Sequence, residues 1–407
     1  MTINRRIITI IALVLTTCLG FADNGINSPY SRYGLGILAD QNLGVNRQMG
    51  GLGYALRSGS YINLLNPASI SASDTLTMLF ETGFSMQNVN FEEGKVRRNA
   101  RNASFDYIAM QFRLCKDLGL SFGFLPYSNV GYSFATTTNE HNIENTQAYN
   151  GEGGIYQPFV GLGWQPFKGF SVGAMASYIY GDISHIISHN FSDANTTDNI
   201  KRYDINVKSY KLDLGAQYTT ALKEKHNITF GAVYSLGHDL DADITLTEQE
   251  NSKKADYNLR IPQTIGVGTF YDYNNNWKVG LDYTLQTWSG ASFTGGDNGI
   301  NRSKISVGAE YYPNDMMSRN IFKKIHYRLG AYYAQPYTEV KGAEGCEEYG
   351  VSAGFSLPLI NSRSLLHLSG QLIRMEPKTA GFISETYLRV NIGLTFNESW
   401  FMKLKLR

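Results

Sequence analysis

Two stretches of this 407-residue chain match the G-x-S-x-G pattern of a hydrolase nucleophile elbow: Gly119-Leu120-Ser121-Phe122-Gly123 and Gly350-Val351-Ser352-Ala353-Gly354. That chemistry needs a sharp strand-to-helix turn that exposes the serine. Both copies lie inside alternating stretches, where Gly, Ser and Gly are successive small residues on one strand face, so neither is read as a nucleophile. His185 and His189 would share a face of a helix. On a strand they stand roughly 13 Å apart at ~3.3 Å per residue, too far to share one metal ion. Asp239, Asp241 and Asp243 with Glu250 echo a calcium loop, but the position that needs glycine is Ile244 and the stretch alternates, which reads as a solvated acidic rim. The chain is therefore read as a non-enzyme with no metal and no cofactor.

The other ionisable residues that draw attention are Glu81, Arg113, Lys211, Asp213, Lys278, Asp282, Glu310, Arg328 and Arg389. Each falls on the polar face of an alternating stretch, and their signs nearly balance. Unpaired charges in a crowded interior are costly, so they are expected to pair across strands or with Arg32, Arg47 and Arg57 upstream. A subset is also placed to hold a ligand carboxylate or to release whatever fills the interior.

The elements that must carry these residues are strands. Tyr210, Leu212, Leu214, Ala216 and Tyr218 alternate with Lys211, Asp213, Gly215 and Gln217. Trp277, Val279, Leu281, Tyr283 and Leu285 alternate in the same way with Lys278, Gly280, Asp282, Thr284 and Gln286, and the pattern recurs to Leu388–Phe396. A soluble sandwich shows water a polar face dense in long charged groups. Here the polar face is mostly Gly, Ser and Thr, and the apolar face ends in Tyr, Phe or Trp, which fits lipid outside, aromatic girdles and a crowded polar lumen. Forty-one glycines, 27 tyrosines and 21 phenylalanines agree. A net charge of +1 gives no electrostatic case for nucleic acid. The sequence predicts an all-β transmembrane antiparallel barrel of about fourteen strands, near 75–90, 103–114, 118–136, 146–165, 169–190, 203–221, 226–246, 256–273, 276–289, 300–312, 325–340, 347–358, 363–375 and 382–397. Tight turns at every second junction and longer polar loops elsewhere place both termini in the periplasm. The connection 313–324 is long where a short turn is expected.

The N-terminus divides differently. Arg5 and Arg6, the apolar run Ile7–Val14 and Gly20-Phe21-Ala22 read as a signal peptide, 1–22, cleaved after Ala22; Cys18 offers a lipoprotein site as the alternative. Residues 23–72 lack period-two alternation and are rich in glycine, with few large apolar groups to offset the entropy of ordering. They are expected to form a plug, or hatch, inside the barrel formed by 73–407, where irregular backbone is tolerated. The lumenal glycines, among them Gly119, Gly173, Gly215, Gly231 and Gly330, leave room for its close approach.

Gly34-Leu35-Gly36 opens the plug, Asn66-Pro67-Ala68 closes it, and about fourteen strands follow. In this the chain resembles the FadL-type outer-membrane transporters of long-chain fatty acids and other hydrophobic compounds. The resemblance covers the mature chain and implies outer-membrane lipid and a hydrophobic small molecule as partners, in a Gram-negative bacterium, with passive uptake and no energy coupling. It assigns Gly34, Gly36, Asn66, Pro67 and Ala68 to the plug; Arg32 and Tyr33, beside the first plug glycines, are read as its anchors. It also makes the interruption at Pro126, Asn129 and Gly131 a kink at a lateral gate, which proline and glycine permit; an ordinary β-bulge reads the same residues equally well. The chain ends WFMKLKLR, with Arg407 rather than an aromatic residue last, leaving Trp400 and Phe401 for recognition by the barrel-assembly machinery. The alternative function is a barrel that binds exported proteins in secretion or surface attachment. An apolar internal pocket favours transport; large structured outer loops favour protein binding.

Overall fold

The computed structural model describes residues 25–399 apart from 141–142, 192–198, 250, 295, 314, 316–317, 360–362 and 380. The signal segment with Cys18, the residue Glu250 and the C-terminal Trp400, Phe401 and Arg407 lie outside the described residues.

Fourteen antiparallel strands close on themselves: β1 (Thr77–Glu93), β2 (Val96–Cys115), β3 (Leu118–Glu140), β4 (Ile143–Phe167), β5 (Phe170–Phe191), β6 (Asn199–Lys223), β7 (His226–Ser235), β8 (Gln263–Tyr273), β9 (Trp277–Thr287), β10 (Arg302–Tyr311), β11 (His326–Ala334), β12 (Cys346–Pro358), β13 (Leu365–Pro377) and β14 (Ser384–Ser399). Closure is made by β1 and β14, paired from Thr77↔Ser399 to Glu92↔Ser384. A closed sheet with an apolar exterior leaves every ladder bond internal, the condition for crossing lipid with strands. The outward side chains are those that the alternation names. Tyr210, Leu212, Leu214 and Tyr218 on β6, and Trp277, Val279, Leu281 and Tyr283 on β9, are all exposed. Aromatic pairs mark both edges of the band, with Trp277–Tyr311 at 4.5 Å at one end and Tyr156–Tyr180 at 6.1 Å at the other.

Two expectations about connections are corrected. Residues 91–102 and 137–145 are mostly strand, not loop: β1–β2 and β3–β4 run on well past the apolar band as ladders reaching Glu93↔Val96 and Glu140↔Ile143. In 91–102 the polar sequence reflects water on both faces, with 93–99 all exposed, which removes the alternation without removing the strand. The stretch 226–246 is not one strand. It breaks after Ser235 and resumes as Ala242–Glu248, still paired with β6. The long connection between β10 and β11 contains a 3-10 turn, Ile321–Lys324, capped by Asn320.

Residues 25–72 lie inside the strands. Their regular pieces are short: a 3-10 turn Pro29–Arg32, a two-residue strand Ile37–Leu38, α1 (Gly44–Gln48) and a 3-10 turn Pro67–Ala72. A five-residue helix is far below the length that is stable alone. What holds it is burial: Leu43, Val45, Met49, Leu52 and Ile62 are at most 1% exposed, packed against Leu79, Tyr107 and Leu125 in one cluster and Phe270 in another. Each such side chain contributes roughly 1.5–3 kcal/mol over its exposed state. A further apolar cluster at the long-loop end joins Leu35 of this segment to Ile244, Ile261, Trp288, Phe293 and Tyr337 of the loops.

Candidate functional site

The lumen wall is glycine where the inner segment touches it. A Cβ on Gly231 would stand 1.9 Å from the Tyr54 carbonyl oxygen, one on Gly330 2.2 Å from the Met49 carbonyl carbon, one on Gly119 2.2 Å from the Ile70 oxygen and one on Gly173 2.3 Å from the Pro67 carbonyl carbon. Gly215 faces Asn66 in the same way, whereas Gly123 meets β2 backbone instead.

Buried carboxylates fasten the segment by its backbone. Glu81 accepts from the N–H groups of Gly44 (3.1 Å) and Ile62 (3.2 Å) and from the Tyr107 hydroxyl (3.3 Å). Asp282 accepts from Gly53 N–H (2.7 Å) and Tyr54 N–H (2.9 Å). Glu310 is held by Arg328 and by Lys278 at 3.2 Å, and Arg328 also donates to Gln48 Oε1 at 2.6 Å. Asn66 caps the 3-10 turn that begins at Pro67, accepting from Ala68 N–H (3.0 Å) and donating to the carbonyls of Tyr54 (2.7 Å) and Ala216 (3.1 Å). The Asn-Pro-Ala motif is thus a cap, a pre-set φ and a small residue in one place. Ser352 accepts from Gly50 N–H at 2.9 Å, a fastening role and no nucleophile elbow.

The charges pair, though not always as expected. Arg47 meets Asp106 at 2.5 Å, Arg389 meets Asp40 at 3.1 Å and Lys211 meets Asp213 at 2.5 Å. Lys304 and Arg389 hold the Asp40 carboxyl below its ordinary value although burial, the largest influence, pushes it up. Arg57 has no carboxylate within ion-pair distance among the described residues. Its guanidinium donates to Gln165 Oε1 (2.8 Å), Ser71 Oγ and Ser171 Oγ (both 2.9 Å), and burial pulls it down to about 10. Arg32 forms no ion pair among the described residues either; it lies 4.2 Å from the Tyr149 ring centre. Arg113 stays at the short-turn end with Asp117, 3.4 Å away, and does not reach the inner segment. Tyr33, Gly34 and Gly36 are organised by a residue the sequence did not single out: the Tyr337 hydroxyl donates to Gly36 O and accepts from Leu35 N–H at 3.1 Å. Gly34 and Gly36 both have positive φ, +65° and +91°, which only glycine adopts without strain.

Glu385, Asp106 and Tyr337 were missed for different reasons. Glu385 accepts from Ser28 Oγ at 2.8 Å and shares the inward parity of Arg389, so extending the β14 alternation by four residues finds it. Asp106 sits at a register shift between β1 and β2 at Gly83/Phe84, and the extra residue turns it inward against the parity of Arg113. Tyr337 belongs to an aperiodic loop.

The interruption in β3 is both a bulge and the start of a seam. Register against β4 shifts between Pro126 and Ser128. On the other side, the β2–β3 ladder runs only from Cys115↔Leu118 to Ile108↔Phe124. Beyond that level the strands part, and the inner segment lines the β3 edge: Ile37 and Leu38 pair with Asn129 and Ser128, Ala39 N–H donates to Tyr127 O and Ser28 N–H to Gly131 O, both at 2.9 Å. A cavity of about 310 Å³ reaches from the lumen to this seam, where Ser104, Phe105, Leu125 and Pro126 line it. Its inner wall carries the pairs Arg47–Asp106, Arg389–Asp40, Lys211–Asp213 and Arg302–Glu348, with Lys304 set 4.3 Å from the Tyr332 ring centre.

A fourteen-stranded closed barrel with an N-terminal segment in its lumen and an interrupted third strand is the fold of outer-membrane channels of the FadL type. Similar solved structures are the P. putida toluene transporter TodX (14% identity, 89% of this chain and 100% of that one, TM-score 0.60), a Pseudomonas aeruginosa FadL homologue (12%, 90% and 100%, 0.60) and the Ralstonia pickettii toluene transporter TbuX (15%, 89% and 99%, 0.55). None of the curated proteins matches the chain in sequence. The sequence model of the BamG family matches residues 3–407, and the chain belongs to that family.

Proposed function

We propose that this protein is a plugged, non-conducting outer-membrane barrel that works as a component of the barrel-assembly machinery, the association that the family's name carries. The observation that supports this reading best is the lumen. Its cavity is walled by apolar side chains such as Leu38, Leu64, Leu125 and Met175 and, on the inner side, by four ion pairs, and a solute crossing that inner wall would have to part them. Breaking one such buried pair costs about 3–5 kcal/mol, more than a small hydrophobic molecule regains by burying a few methylene groups at ~0.8 kcal/mol each. In this reading residues 1–22 are the cleaved signal, 23–72 the plug and 73–407 the barrel, with the short turns and both termini in the periplasm. Arg32, Tyr33, Gly34, Gly36, Asn66, Pro67 and Ala68 anchor the plug. Purification of the full-length protein from native outer membranes in a mild detergent tests it: barrel-assembly proteins in stoichiometric amount are expected, and a barrel that emerges alone overturns it.

A second reading, passive uptake of a hydrophobic small molecule with lateral exit, is favoured by one observation: the cavity reaches the seam beside Phe105 and Leu125. Pro126, Asn129 and Gly131 would then form the gate, and Ile37–Leu38 would have to leave the β3 edge. Enrichment of a fatty acid or aromatic compound in the purified barrel over a control barrel is its expected result.

A further inference from the structure

The two edges of the seam are treated differently. That of β3 is covered by the inner segment from Tyr127 to Gly131 through backbone hydrogen bonds. The edge of β2 is not: from Val96 to Arg101 it is paired with β1 alone, and among the described residues nothing bonds to its backbone from the seam side. The nearest tie is one residue further on, where the side-chain amides of Asn27 and Asn102 stand 2.9 Å apart. In an antiparallel strand about half of the N–H and C=O groups point to each side, so this stretch offers a row of unmade bonds over about 20 Å at ~3.3 Å per residue. Such edges recruit further strands.

We propose that the free edge of β2 docks an extended, acidic segment of a partner protein, which joins the barrel as an added strand; this rests on the protein-binding reading above. The charge specifies the occupant. Lys95, Arg98 and Arg101 are exposed and have no carboxylate within ion-pair distance among the described residues. Arg97 faces Glu92 at 3.2 Å with its side chain 81% exposed. Arg97, Asn99 and Arg101 stand on the outer face, opposite Glu92, Asn90 and Asn88 of β1, so a strand with Asp or Glu at alternate positions would meet them in cross-strand pairs. Like charge disfavours pairing with the same edge of a second copy. Phe105 is the last large apolar residue on that face, so the edge stands beyond the band that lipid covers.

The test places photoreactive p-benzoylphenylalanine at Asn99, with Leu281 as the lipid-facing control, in the full-length protein in native outer membranes. A protein adduct from Asn99 and none from Leu281 is expected. Adduct yield should fall roughly tenfold in an Arg101→Glu variant and less in Arg101→Gln, because like charges across an interface cost more than a lost attraction. Folding of each variant is checked by its heat-shifted gel mobility. No protein adduct, an adduct with lipopolysaccharide alone, or a yield unchanged by charge reversal overturns the docking edge, even with assembly proteins still co-purifying. Loss of co-purification from the unsubstituted protein overturns the reading beneath it.

Discussion

Two carboxylates, Glu81 and Asp282, take on backbone donors for which no other partner is present among the described residues. Replacing Asp282 by Ala leaves the Gly53 and Tyr54 N–H groups buried and unsatisfied, at about 1–3 kcal/mol each. We expect Asp282→Ala to lower the thermal unfolding midpoint in detergent and to open the segment around Tyr54 to protease. Asp282→Asn keeps an acceptor and should do much less. The glycines give a second contrast. Gly231→Ala would set a Cβ against the Tyr54 carbonyl, while a Cβ at Gly370 meets nothing within 4 Å. Thermal melts of the two variants should therefore separate, with Gly231→Ala destabilised and Gly370→Ala unchanged. Asp282, Glu81 and Gly231 were all legible from parity, because period-two alternation tells inward from outward wherever one face meets lipid. Asp106 was not, since a bulge reverses parity locally, and no periodicity leads to Tyr337 in its loop.

At the scale of elements, the Pro67–Ala72 turn and the Ile37–Leu38 strand hold the inner segment at its two ends. Asn66→Ala removes a helix-cap acceptor, about 0.5–2 kcal/mol, together with the bonds to Tyr54 and Ala216; chemical denaturation in detergent should show a loss at or above that range. Ala39→Pro removes the N–H that donates to Tyr127 O. It should loosen the strand from β3, so that a cysteine placed at Ser128, fully buried, reacts with a water-soluble maleimide only in that background. Protection of the cysteine in both backgrounds would mean that the seam is closed by other contacts. The strand count was legible in the sequence, and so was the interruption at Pro126. Where strands leave the apolar band, as in 91–102, water wets both faces and the alternation that marks them fades. The parting of β2 from β3 follows from pairing across the chain, which no local pattern encodes.

For the whole molecule, the same fold serves either a conduit or a scaffold, and the contents of the lumen separate them. In the scaffold reading proposed above, the paired charges, the backbone-anchored inner segment and the apolar cluster that ties its Leu35 to the long loops keep the barrel closed. Its free strand edge and long ladders beyond the membrane then become the working surface. The most direct test is to deplete the protein from growing cells and follow the folding of unrelated outer-membrane barrels by heat-shifted gel mobility. Unfolded precursors of several such barrels are expected to accumulate before growth slows. Normal barrel folding in depleted cells, with loss only of the uptake of a hydrophobic compound, would contradict it.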